Sequence, residues 1–449
     1  MCFFTGLLES RTPHPARVRR RLFFAGHFLM SVVDPFRYVN GRLHAEGVAL
    51  DAIAREHGTP VYVYSRAAIE SRYRAIEAVL HAVAHRVCYA VKANGNLAVL
   101  NVLARLGAGF DIVSGGELER VIAAGGDPAK VVFSGVGKRR DEMHQALRAG
   151  VACFNVESEG ELDALASVAA GEGGRAPVSL RVNPDVDART HPYISTGLKR
   201  NKFGIAIEQA EALYRRAAAD PALDVRGVAC HIGSQLTDAA PVMDALERVL
   251  ALVDRLQAAG IRLRHLDMGG GFGIRYRDET PLAAHDFAAA IAARMHGRAL
   301  ELVLEPGRSI VGEAGALLTR VLYAKHNGGR GFLVADAAMN DLIRPALYQG
   351  WHPVWPIDEA STGGAGQSWD LVGPVCESAD FLALERTLAA GPGDLLAVGC
   401  CGAYGFAMSS NYNARPRAAE VMVDRDRCHL VRPREQVSAL FAGEQRLPD

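Results

Sequence analysis

Several features common in other protein classes are missing from this 449-residue chain. Its 8 cysteines form no C-x-x-C pair, and only Cys400 and Cys401 are adjacent, so neither a zinc ribbon nor a disulfide framework is signalled. That usage points to a reducing, cytoplasmic compartment. No apolar run approaches the roughly 20 residues that cross a bilayer, and the stretch from Arg21 to Met30 is short and interrupted by His27. Net charge is also lacking: 50 Lys and Arg balance 50 Asp and Glu, which removes any global pull toward nucleic acid or anionic membrane and favours a small-molecule partner. A dinucleotide fingerprint is absent too, because Ile274 stands where the last glycine of G-x-G-x-x-G would follow the Gly269–Gly273 run.

What is present is a large folded chain. Hydrophobic residues at 49% and charged residues at 22% exclude wholesale disorder. The first 30 residues differ from the rest, with Arg17, Arg19, Arg20 and Arg21 followed by Leu22, Phe23 and Phe24 without periodicity. They read as a disordered or mis-started extension, with Met30 a natural start.

From Pro60 onward the chain repeats a short Val/Ile-rich run, a polar or glycine turn and an Ala/Leu-rich helical stretch. Runs ending near Val91, Val113, Phe133, Val156, Val182, His231, Met268 and Leu304 supply the eight strands of a (β/α)8 TIM-like barrel. Val61–Tyr64 would be one run too many and is placed outside the barrel wall. After Arg308 the texture changes to short β-like segments at Leu317–Tyr323, Phe332–Ala335, Trp369–Val372, Leu395–Val398 and Glu420–Val423, which predict a C-terminal all-β, sandwich- or barrel-like domain. Tyr38–Val48 is expected to add an N-terminal strand to it. The resulting division is an extension at 1–30, a segment at 31–58 contributing to the β domain, an α/β barrel at 59–310 and the β domain at 311–449.

Chemically capable residues collect at the ends of the barrel runs: Lys92, Asp111, Ser134, Asn155, Arg181, His231, Gly269–Gly271 and Glu305. That rim is where barrel enzymes place their active sites. Lys92, in Tyr89-Ala90-Val91-Lys92-Ala93-Asn94, suits imine chemistry if desolvation lowers its pKa, although a surface lysine at a strand end is an equal reading. Gly269, Gly270 and Gly271 offer bare backbone N–H groups suited to a phosphate. His231, in His231-Ile232-Gly233-Ser234-Gln235, presents a flat ring able to stack on a cofactor, and Glu305-Pro306-Gly307-Arg308 pairs a rim carboxylate with a guanidinium. Each motif alone also has a plain structural reading, as a core histidine or an ion pair.

Taken together, these motifs resemble the fold-type III pyridoxal-phosphate enzymes, the superfamily of alanine racemase and the ornithine and diaminopimelate decarboxylases. The resemblance runs from about Tyr38 almost to the C-terminus and is greatest to the diaminopimelate decarboxylases. It is carried further by Gly58-Thr59-Pro60-Val61-Tyr62-Val63-Tyr64, His191-Pro192-Tyr193-Ile194-Ser195-Thr196-Gly197, Lys202-Phe203-Gly204, Gly373-Pro374-Val375-Cys376-Glu377-Ser378 and Gly402-Ala403-Tyr404-Gly405.

The resemblance implies pyridoxal 5'-phosphate as cofactor, bonded to Lys92 and stacked by His231. Ser234, Gly269–Gly271, Gly307, Arg308 and Tyr404 then surround its phosphate, and Glu305 faces its ring nitrogen. A carboxylate there keeps the ring protonated and a strong electron sink, whereas racemases of this fold place Arg, so Glu305 argues for decarboxylation. Arg344, helped by Tyr348, Arg308 and Tyr404, is expected to hold the substrate's distal carboxylate, and Glu377 its distal ammonium. Cys376 resembles the family's acid that reprotonates the carbanion, and the Cys-Glu pair would reach the partner's site in a homodimer with shared active sites. The implied reaction is decarboxylation of meso-2,6-diaminopimelate at its D-centre to L-lysine. A same-fold decarboxylase of ornithine, arginine or a carboxylated polyamine, and a non-catalytic pyridoxal-phosphate-binding homologue, stay open as alternatives.

Overall fold

The computed structural model describes residues 32–187, 202–362 and 366–449. The N-terminal extension to residue 31 and the motif His191–Gly197 lie outside those residues. Eight parallel strands, His85–Ala90, Gly109–Ile112, Val131–Phe133, Cys153–Val156, Ala176–Asn183, Leu223–Ala229, His265–Asp267 and Glu301–Leu304, pair in chain order. Leu302, Val303 and Leu304 of the last strand lie opposite His85, Arg86 and Val87 of the first, which closes the barrel. Each strand ends within two residues of the position its apolar run predicts.

Sequence chemistry explains the alternation. Ser114 and Ser158 each open a helix just past a barrel strand, their side chains accepting from the N–H of Glu117 and Glu161 at 3.2 Å. These S-x-x-E segments satisfy otherwise orphaned helix N–H groups at the barrel rim. Glu117 and Glu161 reach back to accept from the N–H of Val113 (2.7 Å) and Glu157 (2.9 Å), so each βα turn is pinned from both sides. Helix faces such as Leu246, Val249, Leu250 and Val253 of Ala240–Ala258 then bury against the strands.

The second unit of architecture is a mostly antiparallel sheet. Its ordered path runs Phe381–Leu388, Gln367–Val372, Arg330–Ala335, Gly315–Asn327, Val61–Ser65, Ala419–Asp424 and Arg427–Arg432, with Leu395–Val398 joining Gly315–Asn327 to Val354–Pro356. The N-terminal strand inside this sheet is Val61–Ser65, every residue of it buried, antiparallel to Gly315–Asn327 and parallel to Ala419–Asp424. The run placed outside the barrel wall is thus an interior strand of this sheet. Tyr38–Val48 joins differently from the expectation: Phe36–Val39, Arg42–Ala45 and Val48–Ala49 form a three-stranded sheet of their own. Their apolar side chains Phe36, Leu43 and Ala45 pack with Val61, Val63, Leu318 and Val421, and backbone hydrogen bonds from Leu43 N–H to the Ile357 carbonyl and from Gly47 N–H to the Arg425 carbonyl, both 2.8 Å, help fasten them to the β domain.

Two hydrogen bonds tie the β domain to the start of the barrel where the chemistry lies. The N–H of Tyr404 donates to the carbonyl of Ala93 at 2.8 Å, and Asn94 Nδ2 donates to the carbonyl of Gly402 at 3.1 Å. They bring the Gly402–Tyr404 turn against Lys92. Among the described residues no helix is long and apolar enough to cross a membrane.

Candidate active site

A cavity of about 610 Å³ opens at the C-terminal end of the barrel, between the strand ends and the β domain. Eleven of the expected site residues line it: Lys92, His231, Ser234, Gly270, Gly271, Glu305, Gly307, Arg308, Arg344, Tyr348 and Tyr404. Gly269 sits behind the wall, where its lack of a side chain makes room for His231: a Cβ there would lie 2.6 Å from His231 Nδ1. Cys376 and Glu377 do not line this cavity. Both are exposed, on the turn joining Gln367–Val372 to Phe381–Leu388, where Cys376 N–H donates to Asn413 Oδ1 at 2.9 Å.

The cavity floor is acidic. Lys92 Nζ lies 2.5 Å from Asp111 Oδ2, and Asn155 Nδ2 donates to Asp267 Oδ2 at 3.1 Å and toward Glu305 Oε1 at 3.5 Å. Burial and the charges of Asp111 and Asp267 push the Glu305 carboxyl well above the usual carboxylate range. For Lys92 the sequence suggested a lowered pKa, and the structure corrects that. Burial does act to lower it, but Asp111, Glu305 and Tyr404 together raise the ammonium above its ordinary value. Although 38% of the Lys92 side chain is accessible, that surface faces the cavity and its acids.

The opposite wall is basic. Arg308 and Arg344 are only 7% and 8% exposed, and neither has a carboxylate partner within ion-pair distance among the described residues. Arg308 instead donates to Tyr276 Oη at 2.5 Å and Ser234 Oγ at 3.1 Å, lies over the Tyr404 ring at 4.9 Å, and leaves its buried Nε without a partner. Arg344 lies 4.7 Å over the Tyr276 ring and contacts His352 Nε2 at 2.7 Å. Two buried guanidiniums without counter-ions are costly to maintain unless an anion reaches them.

Between these walls, His231 Nδ1 accepts from the N–H of Gly270 at 3.3 Å, which places the proton of the neutral ring on Nε2. Burial, Arg181 and Lys92 drive its pKa well below the ordinary histidine value, so the ring presents an uncharged face. The glycine turn is required sterically: a Cβ on Gly270 would lie 2.0 Å from the Glu305 carbonyl oxygen, and one on Gly271, where φ is +89°, 2.0 Å from that of Gly233. Unpartnered Arg308 Nε, an uncharged flat imidazole, a side-chain-free glycine turn and a lysine among acids together match the demands of a phosphorylated aldehyde cofactor.

Residues 66–312 match the family described as pyridoxal-dependent decarboxylase, pyridoxal binding domain. The diaminopimelate decarboxylase of Pseudomonas aeruginosa is 65% identical over 416 residues, covering 93% of this chain and 100% of that protein. The chain belongs to the diaminopimelate decarboxylase family. That of Vibrio cholerae is 57% identical over 93% of this decarboxylase and 100% of its own length. Among solved structures, diaminopimelate decarboxylase from Helicobacter pylori complexed with L-lysine superposes with a TM-score of 0.84 at 40% identity, covering 88% of this chain and 99% of that one. The M. jannaschii enzyme superposes at 0.88 with 36% identity, over 92% and 98%. Like the family, this decarboxylase uses pyridoxal 5'-phosphate.

Sequence reading missed Tyr276, Asp267 and His352. Tyr276 lies in a stretch with no signal of its own, while Asp267 sat inside the glycine motif, where its buried contact with Asn155 was invisible. His352 is eight residues beyond Arg344, and only the fold brings the two rings of charge and imidazole together.

Proposed function

We propose that the protein removes carbon dioxide from the D-centre of meso-2,6-diaminopimelate and releases L-lysine. The carrying observation is the pair of buried guanidiniums, Arg308 and Arg344, with no carboxylate partner among the described residues, facing an acidic floor that holds Lys92. A substrate bearing both ammonium and carboxylate groups complements both walls, whereas a simple diamine leaves Arg344 unpaired.

When bound, pyridoxal 5'-phosphate supplies an electron sink for the pair left behind by departing carbon dioxide. In this reading Lys92 holds the cofactor's aldehyde end, Arg308 with Ser234, the turn Gly269–Gly271, Gly307 and Tyr404 surround its phosphate, and His231 flanks its ring. Glu305 would face the ring nitrogen and favour its protonated form. Arg344, with Tyr348 beside it on the short helix Arg344–Tyr348, binds the carboxylate that must not react. The guanidinium thereby decides which end of the molecule lies over Lys92. Cys376 returns a proton to the reacting carbon and Glu377 takes the distal ammonium. Their exposure on a turn outside this chain's own cavity supports a homodimer in which each subunit's Cys376 and Glu377 complete the partner's site. A cytoplasmic location accompanies this biosynthetic role.

The test is to incubate the purified holoenzyme with meso-diaminopimelate and measure lysine and carbon dioxide, with ornithine, arginine and D,D-diaminopimelate in parallel. Lysine from the meso compound alone is expected. Turnover of ornithine or arginine instead would retain the decarboxylase chemistry and overturn the role of Arg344.

A further inference from the structure

His352 is fully buried and makes two hydrogen bonds from opposite ring edges. Its Nδ1 lies 2.9 Å from the carbonyl oxygen of Gly399, and its Nε2 lies 2.7 Å from Arg344 Nη1. A carbonyl only accepts and a guanidinium only donates, so the pair dictates one tautomer: Nδ1 carries the proton and Nε2 receives the Arg344 N–H. No other arrangement satisfies both contacts.

The fold determines this geometry. Val354–Pro356 pairs antiparallel with Leu395–Val398, with Val354 opposite Val398, and Gly399 N–H donates to the Pro353 carbonyl at 2.8 Å. That register carries His352 beside Gly399. The space is tight, since a Cβ on Gly399 would lie 2.3 Å from the Trp355 ring. Tyr276 meets the imidazole edge-on at 5.4 Å between ring centres, and Cys401 Sγ lies 3.6 Å from Nδ1. Burial, with the charges of Arg344, Arg308 and Arg386 around it, keeps the ring neutral. Arg344 consequently has one nitrogen committed to an uncharged acceptor, and Nη1 is its only nitrogen with a hydrogen-bond partner among the described residues. A carboxylate in place of His352 would pair with the guanidinium and compete with any anionic ligand; a neutral acceptor orients it without consuming its charge.

We propose that His352 is a positioning residue for substrate selection: through Nε2 it aims Arg344 at the carboxylate that is retained in the product. The inference rests on the role of Arg344 given above. It makes a specific separation of effects, because L-lysine retains that carboxylate and cadaverine (1,5-diaminopentane) lacks it.

The holoenzyme is compared with His352→Asn, His352→Gln and Arg344→Ala. Asparagine can reproduce the Nδ1 bond to Gly399 while falling short of Arg344, and glutamine can place an oxygen where Nε2 accepts. In His352→Asn, KM for meso-diaminopimelate and the inhibition constant of L-lysine are expected to rise about 10- to 150-fold, the span of a lost hydrogen bond to a charged group. The inhibition constant of cadaverine and kcat should stay within about threefold, and His352→Gln should restore most of the lysine affinity. Equal loss for lysine and cadaverine, or identical behaviour of the Asn and Gln variants, would overturn the proposal. Should the Asn variant not fold, nitrogen NMR of ring-labelled wild-type His352 decides: a protonated Nε2 at pH 7 rejects the arrangement. If Arg344→Ala itself leaves the preference for lysine over cadaverine intact, the reading of Arg344 fails; if it abolishes that preference and His352→Asn does not, only the role of His352 fails.

Discussion

Lys92 Nζ and Asp111 Oδ2 are 2.5 Å apart at the floor of the cavity, and this contact together with Glu305 and Tyr404 outweighs the burial that would otherwise favour the neutral amine. The lysine is therefore stored as an ammonium beside Asp111. Asp111→Asn removes a raising charge and leaves burial opposed mainly by Glu305, so the Lys92 pKa should fall. Covalent capture of pyridoxal phosphate, trapped with borohydride and read by mass at a series of pH values, should reach its midpoint at lower pH in the variant. An unmoved midpoint would show that Asp111 does not control this amine.

Arg344→Ala should raise KM for meso-diaminopimelate by about 30- to 4000-fold, the range for removing one partner of a desolvated charge pair, while the absorbance of bound cofactor is retained. Equal loss of cofactor would contradict the assignment of Arg344 to substrate.

Cys376→Ala should lower kcat by about 10²- to 10⁴-fold, as for loss of a general acid, with stability unchanged within about 0.5 kcal/mol because the residue is exposed. Mixing Cys376→Ala with Lys92→Ala subunits provides the sharper measurement. If the cysteine serves the partner's cavity, the mixed dimer has one complete site and regains activity; if it serves its own, the mixture stays inactive.

His265 is 5% exposed, its Nε2 has no hydrogen-bond partner, and burial with nearby Arg86 pushes its pKa down to about 4 from 6.5. Between these values the unfolded chain binds a proton that the folded protein refuses, so this contribution is complete above pH 6.5 and is lost as pH falls toward 4. Wild type should lose up to about 3 kcal/mol relative to His265→Gln over that window, read by denaturant unfolding at each pH. The comparison isolates His265 from Glu117 and Asp341, whose carboxyls are pushed up by burial to about 7 and about 6 and act in the opposite sense.

Gly270→Ala should cost about 3 kcal/mol or more, or displace the Glu305 backbone, because the new Cβ meets that carbonyl oxygen. A Tm equal to wild type with full activity would mean the turn relaxes freely.

Much of this molecule is legible in its order of residues, for a definite reason. Barrel strands such as Cys153–Val156 and helices such as Glu159–Gly171 are local units, set by apolar runs, Ser158-type caps and glycine turns that act over a few residues. Because every strand of a parallel barrel points the same way, locating the strand ends also located Lys92, His231, Gly270 and Glu305 on one rim. Strand Phe381–Leu388, written FLALERTL, carries helix-forming residues and becomes a strand only by pairing with Gln367–Val372. Likewise exposed Arg427–Arg432 has little apolar signal and is recruited by Ala419–Asp424.

The sequence by itself determined the repeat, the rim and the chemical inventory, since those depend on periodicity and residue type. Tertiary structure alone decided the ammonium at Lys92, the upward shift of the Glu305 carboxyl, the lack of a carboxylate beside Arg344 among the described residues and the tautomer of His352. Each of those depends on which group lies within a few ångströms across a fold that joins residues as distant as 92 and 305, or 352 and 399, and neither burial nor a hydrogen-bond partner is written in neighbouring residues.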